Sequence, residues 1–217
     1  MRRDTTNLPD RAPFAIRAAI LTPLMAGGTR FEPDGILEVD GDGRIAAVDA
    51  YADRAAQHPP GPDDTVFDAR PGVLLPGLID LHVHLPQVPS AGLGAGLDLL
   101  TWLRRHIFPL EQAFDRPTAE RLAPQVFRAM ARVGTTTFVG YGAIWAESLD
   151  ACFAAAETHG IRAVIGKVMM DELTYDERIS RDEILDVSLA QSADLCERWN
   201  GRDAGRLRYA FTPRFAR

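Results

Sequence analysis

The spacing of apolar positions changes partway along the chain and divides it into two parts. In the first part, residues 14–22, 35–40 and 44–49 are short runs of strand character. Gly41-Asp42-Gly43 lies between the last two runs and is a turn signal, so the pattern predicts a β-hairpin. We therefore expect a small β domain over residues 1–70.

The second part begins at residue 71, where apolar runs start to alternate with stretches of helical spacing. The predicted strands cover residues 73–84, 135–139, 161–168 and 208–212. The predicted helices cover residues 97–108, 118–133, 146–159 and 181–200. This alternation favours a parallel sheet or barrel. The nearly continuous apolar run at residues 73–84 is typical of a fully buried parallel strand.

Four strand–helix units amount to half of a (β/α)8 barrel, which typically needs about 250 residues. The sequence therefore predicts an α/β fold in two domains. Residues 71–217 form the N-terminal half of a TIM-type barrel with about four βα units. Residues 1–70 form a small β-sandwich-like domain that precedes it. Both parts are expected to be incomplete.

Composition narrows the classes of partner. The net charge is −6 and no run of Lys or Arg exceeds two, which argues against a nucleic-acid or membrane partner held by bulk electrostatics. No stretch approaches the roughly 20 apolar residues of a membrane span. Cys152 and Cys196 are too few for a disulfide framework. We expect a cytoplasmic protein, and the charge does not argue against a small polar substrate.

His82 and His84 end the first strand of the second part. Side chains at alternate positions of a strand leave the same face, so both imidazoles can reach one metal ion. Asp80 shares this face and could support the pair. Active sites of βα barrels lie at the carboxyl ends of the strands, where the pair is predicted. The alternative is a pair of histidines packed in a core.

The surroundings of this pair resemble a known family. The run from Pro76 to His84 is similar to the signature of the first barrel strand in the amidohydrolase superfamily. The segments that resemble guanine deaminases, within its aminohydrolase branch, are Pro86-Gln87, residues 99–103, 108–111, 134–137, 166–171 and 212–216. They occur in collinear order over residues 70–217.

The resemblance implies hydrolytic deamination of guanine to xanthine and ammonia at a zinc site, with iron as the alternative metal. Zinc lowers the pKa of a bound water, which then attacks the carbon that carries the amine. His82 and His84 are the implied metal ligands. Gln87 would meet the purine edge, Arg214 would bind the guanine oxygen and ring nitrogen, and Phe215 would pack on the ring.

The family also needs later histidines, an aspartate and a proton-transferring glutamate, which are expected beyond residue 217. The chain therefore resembles an N-terminal fragment, which is expected to be inactive alone. The resemblance also implies a homodimer for the full-length form. Two alternatives stay open. One is an aminohydrolase for another amino-heterocycle, such as another purine, a triazine or a pterin, because Ile144-Trp145 stands where related deaminases often carry a histidine. The other is a non-catalytic half-barrel that serves as an association module.

Each implied substrate contact has a plainer interpretation. Gln87 could be a loop amide, Arg214 a surface salt-bridge partner and Phe215 a core residue. Other polar and aromatic residues are predicted to have structural roles. Trp102 is expected to pack and Lys167 to remain outside the metal site. Solvated or loop-ordering carboxylates are predicted at Glu111, Asp171 and Glu172. His58 is predicted to be a solvated loop residue, and His106 and His159 are predicted to have surface or packing roles.

Overall fold

The computed structural model describes residues 11–58, 66–170 and 179–214. Asp171, Glu172 and Phe215 lie outside these ranges. The chain divides into two compact units, Met1–Pro76 and Gly77–Arg217. The domain boundary after residue 70 stays a prediction.

The first unit is built on one four-stranded sheet. Its elements are β1 (Phe14–Pro23), β2 (Thr29–Val39), β3 (Ile45–Ala50), α1 (Tyr51–Gln57) and β4 (Val66–Leu74). The strand order is β3-β2-β1-β4, and only the β1–β4 pair is parallel. The predicted hairpin is confirmed as the β2–β3 pair. Its turn is held by Asp40, whose carboxylate accepts hydrogen bonds from the backbone N–H groups of Asp42 and Arg44. Helix α1 was not predicted.

The second unit contains a parallel sheet with the strand order β5-β6-β7-β9. Its strands are β5 (Leu78–His84), β6 (Thr135–Tyr141), β7 (Arg162–Gly166), β8 (Val168–Met169), β9 (Leu207–Tyr209) and β10 (Thr212–Pro213). Its helices are a 3-10 helix (Leu85–Ser90), α2 (Leu99–Trp102), a π-helical segment (Leu103–Ile107), α3 (Phe108–Gln112), α4 (Arg116–Arg132), α5 (Ala146–His159), α6 (Ile184–Trp199) and the short turn Arg202–Gly205. The short strands β8 and β10 form a separate parallel pair.

This order confirms the prediction of a partial α/β barrel. Helical segments follow the first three strands of the parallel sheet before the next of its strands begins, as βα units require. The helix predicted over residues 97–108 runs on to Gln112 and includes the π-helical segment. Gly160 ends α5 in the left-handed conformation, with φ of 65°, as the helix-stop signal predicted. Within the described residues, none of the helices combines the length and hydrophobicity that a membrane crossing requires.

The core of the second unit is formed by large side chains from its sheet and its helices, which pack against one another. Phe138 of β6, Phe153 of α5 and Leu195 of α6 are completely buried in it. Cys152 lies in the same cluster, and burial raises the pKa of its thiol to about 12. This environment supports the structural role expected for the cysteine, because a neutral buried thiol is a poor nucleophile.

The prediction that residues 73–84 form a fully buried strand is wrong. Leu78, Ile79 and Leu81 of β5 expose 55%, 63% and 72% of their surface. The reason is the sheet order, which places β5 at one end with β6 as its partner among the described strands. The predicted run also spans two strands of different sheets, because β4 ends at Leu74 and β5 begins at Leu78. The apolar pattern therefore predicted extended structure but neither this break nor the depth of the strand.

Candidate active site

The carboxyl end of β5 holds the two histidines that the sequence singled out. Their ring centroids lie 5.2 Å apart in an edge-to-face arrangement. The β5–β6 register is irregular between Asp80 and Val83. There the Asp80 carboxylate accepts a hydrogen bond of 3.0 Å from the backbone N–H of His82. The structure thus brings His82 and His84 together, with Asp80 supporting the backbone that carries them.

His84 lies against two residues from other elements. The Tyr141 ring stacks on its imidazole with a centroid distance of 4.6 Å and an interplanar angle of 7°. His84 Nδ1 is buried 3.6 Å from Glu111 Oε1, and it has no hydrogen-bond partner among the described residues. Sequence reasoning missed Tyr141. Its signal was its position at the carboxyl end of the second parallel strand, where it pairs in register with His84.

Glu111 is completely buried, which rules out the solvated carboxylate of the two roles predicted for it and leaves the loop-ordering one. Its Oε1 accepts a hydrogen bond of 3.1 Å from Gln87 Nε2. Its Oε2 accepts a hydrogen bond of 2.6 Å from Arg214 Nη1. A buried charge is costly unless it is paired and hydrogen-bonded, and these two donors meet that requirement. One carboxylate therefore connects three of the residues considered for the site.

The helical segment after Asp98 explains why Glu111 is buried. Leu103, Ile107 and Glu111 are the buried positions of residues 99–112, and they lie four apart. In a regular α-helix with 3.6 residues per turn, residues four apart do not lie on quite the same face. The wider π-helical turn holds more residues per turn and keeps these three residues on one face. The sequence signal was an acidic residue at a core position of an amphipathic helix.

Arg214 directly follows β10. Its backbone N–H donates to the Met169 carbonyl oxygen at 2.8 Å. Its guanidinium carbon lies 5.5 Å from the centre of the Phe108 ring, and its side chain is only 11% exposed. The interpretation of Arg214 as a surface salt-bridge partner is therefore wrong, because its partner Glu111 is fully buried.

The histidine pair, Gln87, Tyr141 and Arg214 share one open cavity of about 690 Å³, which Glu111 does not line. This volume lies within the range of about 300–1,000 Å³ that is usual for ligand pockets. The cavity is lined by His82, Val83, His84, Gln87, Val88, Ala91, Leu99, Trp102, Leu103, Tyr141, Pro213 and Arg214. Trp102 lines this cavity while its indole N–H donates to the Leu93 carbonyl oxygen at 2.9 Å. Apolar walls with a few polar groups are typical of a pocket for a small molecule.

The donor set fits part of a metal site. Two imidazoles lie side by side, and imidazole nitrogen is a common ligand of zinc, iron and copper. The buried Nδ1 of His84 faces a carboxylate, which is how metal-bound histidines are usually oriented. Among the described residues, no group of three or more His, Cys, Asp or Glu side chains could hold a metal. The pair therefore needs at least one further ligand to match a catalytic zinc site.

Lys167 follows β7 and is almost completely buried. Its Nζ donates to the Val168 carbonyl oxygen at 3.5 Å and to the Ser188 hydroxyl at 3.4 Å. Burial lowers the pKa of this amine to about 8, because desolvation disfavours the charged form. It does not line the cavity around the histidines.

The lowered pKa of Lys167 gives a prediction for stability. Between about pH 8 and 10 the unfolded chain binds the proton that the folded chain has lost, so the free energy of unfolding should rise with pH. The slope due to this group is at most about 1.4 kcal/mol per pH unit. Urea unfolding across this range should show the rise in the natural chain, relative to Lys167→Met. Burial also raises the pKa of the neighbouring Tyr209, so ionisation of Tyr209 affects the free energy of unfolding above this pH range. Parallel pH profiles for the two proteins would contradict the prediction.

Comparison with known proteins gives consistent matches. The sequence model of the amidohydrolase family matches residues 73–216. A probable guanine deaminase of Deinococcus radiodurans is 38% identical over 207 residues. The guanine deaminase of Escherichia coli K12 is 37% identical over 195 residues. The solved structure of E. coli guanine deaminase superposes with a TM-score of 0.80 at 34% sequence identity.

The shares of the chains that these matches cover are unequal. The alignments include 94% and 88% of this chain but 44% and 42% of the two relatives. The structural match covers 94% of this chain and 47% of the E. coli structure. The chain therefore spans less than half of the length of the proteins that it matches.

Proposed function

Because this chain belongs to the amidohydrolase family, we propose that its second unit forms part of a site that hydrolyses guanine to xanthine and ammonia. The relatives of 38% and 37% identity are described as a probable guanine deaminase and a guanine deaminase. The observation that carries the proposal is the shared cavity. It joins the histidine pair to Gln87 and Arg214 on the same face of the unit.

The proposed roles follow from the chemistry of each side chain. His82 and His84 hold the metal through ring nitrogens, and Tyr141 keeps the His84 ring in place by stacking. Arg214 donates to acceptors on the base, while Gln87 offers both a donor and an acceptor. When bound, a metal such as zinc supplies an acidified water as the nucleophile. In the net reaction water supplies the oxygen of a new C–O bond and the C–N bond breaks. One proton of the water leaves with ammonia and the other stays on the ring.

Several parts of this proposal come from the family resemblance. Zinc is the proposed metal, and iron is the alternative. The proton-transferring glutamate and the remaining metal ligands are expected outside the described residues. Phe215 is proposed to pack on the base. A homodimer and a cytoplasmic location complete the proposal.

The proposed function predicts that this chain needs a partner segment for turnover. Alone with zinc, the 217-residue chain should release no xanthine from guanine, because its histidine pair lacks a further ligand among the described residues. Co-expression with the part of E. coli guanine deaminase outside the alignment should restore xanthine formation, measured by chromatography. A panel of other amino-heterocycles tests the substrate.

The E. coli enzyme, divided at the equivalent position and co-expressed as two pieces, is the positive control. Xanthine production by the chain alone would overturn the requirement for a partner segment. The test of the substrate requires that the two pieces associate and that the divided control is active. If the complex then converts another heterocycle but forms no xanthine, guanine is not the substrate.

A further inference from the structure

We propose that Glu111 is a positioning residue that couples the metal-binding and base-binding parts of the cavity and sets the hydrogen-bonding polarity of the base-binding part. This inference rests on the proposed function. Glu111 does not line the cavity and therefore acts through its neighbours. Those neighbours come from two distant segments of the chain: His84 and Gln87 from the end of β5 and the 3-10 helix after it, and Arg214 from the end of β10.

The first step concerns Gln87. An ionised carboxylate only accepts hydrogen bonds, so Gln87 must turn its amide nitrogen toward Glu111. This fixes the amide against the reversed orientation, in which two oxygens would face each other. The Gln87 carbonyl oxygen is then directed away from Glu111. Gln87 therefore offers an acceptor to a ligand that carries an N–H group.

The second step concerns Arg214. Its Nη1 donates to Glu111 at 2.6 Å, and the short contact fixes the plane of the guanidinium group. Phe108 lies beside the same group and limits its movement. A guanidinium has only donors, so Arg214 selects a ligand edge with acceptors. Gln87 and Arg214 together favour a planar ring that carries both an N–H group and a carbonyl oxygen, which is the chemistry of an oxopurine.

The third step concerns His84. Its Nδ1 faces Glu111 Oε1 at 3.6 Å and has no hydrogen-bond partner among the described residues. When the other ring nitrogen binds a metal, Nδ1 must carry the proton, and a facing carboxylate stabilises that form. The same oxygen also accepts from Gln87. A change at the metal therefore reaches the base-binding residues through one carboxylate.

The test measures zinc binding by the natural 217-residue chain and by variants, using calorimetry with Zn²⁺ alone. Glu111→Gln removes the charge and keeps the volume. It should weaken zinc affinity by about 10–100-fold, the effect typical of losing a partner that orients a metal ligand. Glu111→Asp keeps the charge and should recover part of the affinity. Glu120→Gln is the matched control, because Glu120 pairs with Arg116 on the exposed face of α4.

A second measurement needs no substitution at Glu111 and so is independent of whether those variants fold. Zinc titration of the natural chain is followed by NMR of side-chain N–H signals. The Arg214 Nε–H and Gln87 amide signals should shift together with the histidine signals. The amide signal of Gln125 should stay constant, because this amide donates to the Arg121 carbonyl oxygen on the exposed face of α4.

The outcomes separate the two proposals. If neither the natural chain nor the co-expressed complex binds zinc at these histidines, the proposed function fails and the role of Glu111 fails with it. If the histidines bind zinc but the Arg214 signal does not shift, the coupling through Glu111 is wrong. Unchanged zinc affinity in folded Glu111→Gln would also overturn it, while the proposed function would stand.

Discussion

Replacing His84 with alanine is expected to abolish measurable zinc binding by the chain. Removing a partner that only orients a metal ligand typically weakens metal affinity by about 10–100-fold. The loss of zinc affinity should be larger here, because one of two adjacent donors disappears. The ring centroids of His82 and His84 lie 5.2 Å apart, so the two imidazoles are placed to bind the same ion together. Calorimetry with Zn²⁺ measures the affinity. In the co-expressed complex, xanthine formation should fall below detection.

His159→Ala is the control for this substitution, because His159 is exposed at the end of α5. It should leave zinc affinity and turnover unchanged. Equal zinc affinity in His84→Ala and the natural chain would show that the metal binds elsewhere, and would remove the basis of the proposed site.

Replacing Arg214 with alanine is expected to lower the free energy of unfolding by about 3–5 kcal/mol. Glu111 is completely buried, and this substitution would leave its charge without its cationic partner. The Gln87 amide remains as a donor, which favours the lower end of the range. Urea unfolding of the 217-residue chain provides the measurement.

The double variant Glu111→Gln/Arg214→Ala separates the buried charge from the general loss of packing. It should be more stable than Arg214→Ala alone, because no uncompensated charge is left in the interior. Arg116→Ala removes an exposed ion pair and should cost no more than about 1 kcal/mol. The interpretation is wrong if the double variant is no more stable than Arg214→Ala.

The features that sequence predicted correctly depend on local patterns. The β2–β3 hairpin follows from two strand-like runs around Gly41-Asp42-Gly43. The proximity of His82 and His84 follows from the two-residue repeat of a strand and needs no knowledge of the rest of the fold. The alternating strands and helices of the second unit were predictable for the same reason, because each element carries its own periodicity.

The features that sequence missed depend on contacts between distant segments. Glu111 interacts with Arg214, which lies 103 residues further along the chain. Neither residue by itself reveals this partner. The stacking of Tyr141 on His84 depends on the β5–β6 register. The exposure of Leu81 depends on the place of β5 in the strand order, which the apolar character of the strand does not determine.

The π-helical segment also makes this region sensitive to chain length. Glu111 lies four residues after the last residue of Leu103–Ile107, so its direction depends on the number of residues in that turn. Deleting or inserting one residue there would rotate Glu111 by about 100° around the helix axis relative to the preceding turn. The carboxylate would then leave Gln87 and Arg214 even though every side chain of the site were retained. Natural or engineered length variation should consequently be confined to the ends of the segment formed by residues 99–112, and an alignment gap inside it would mark a different site.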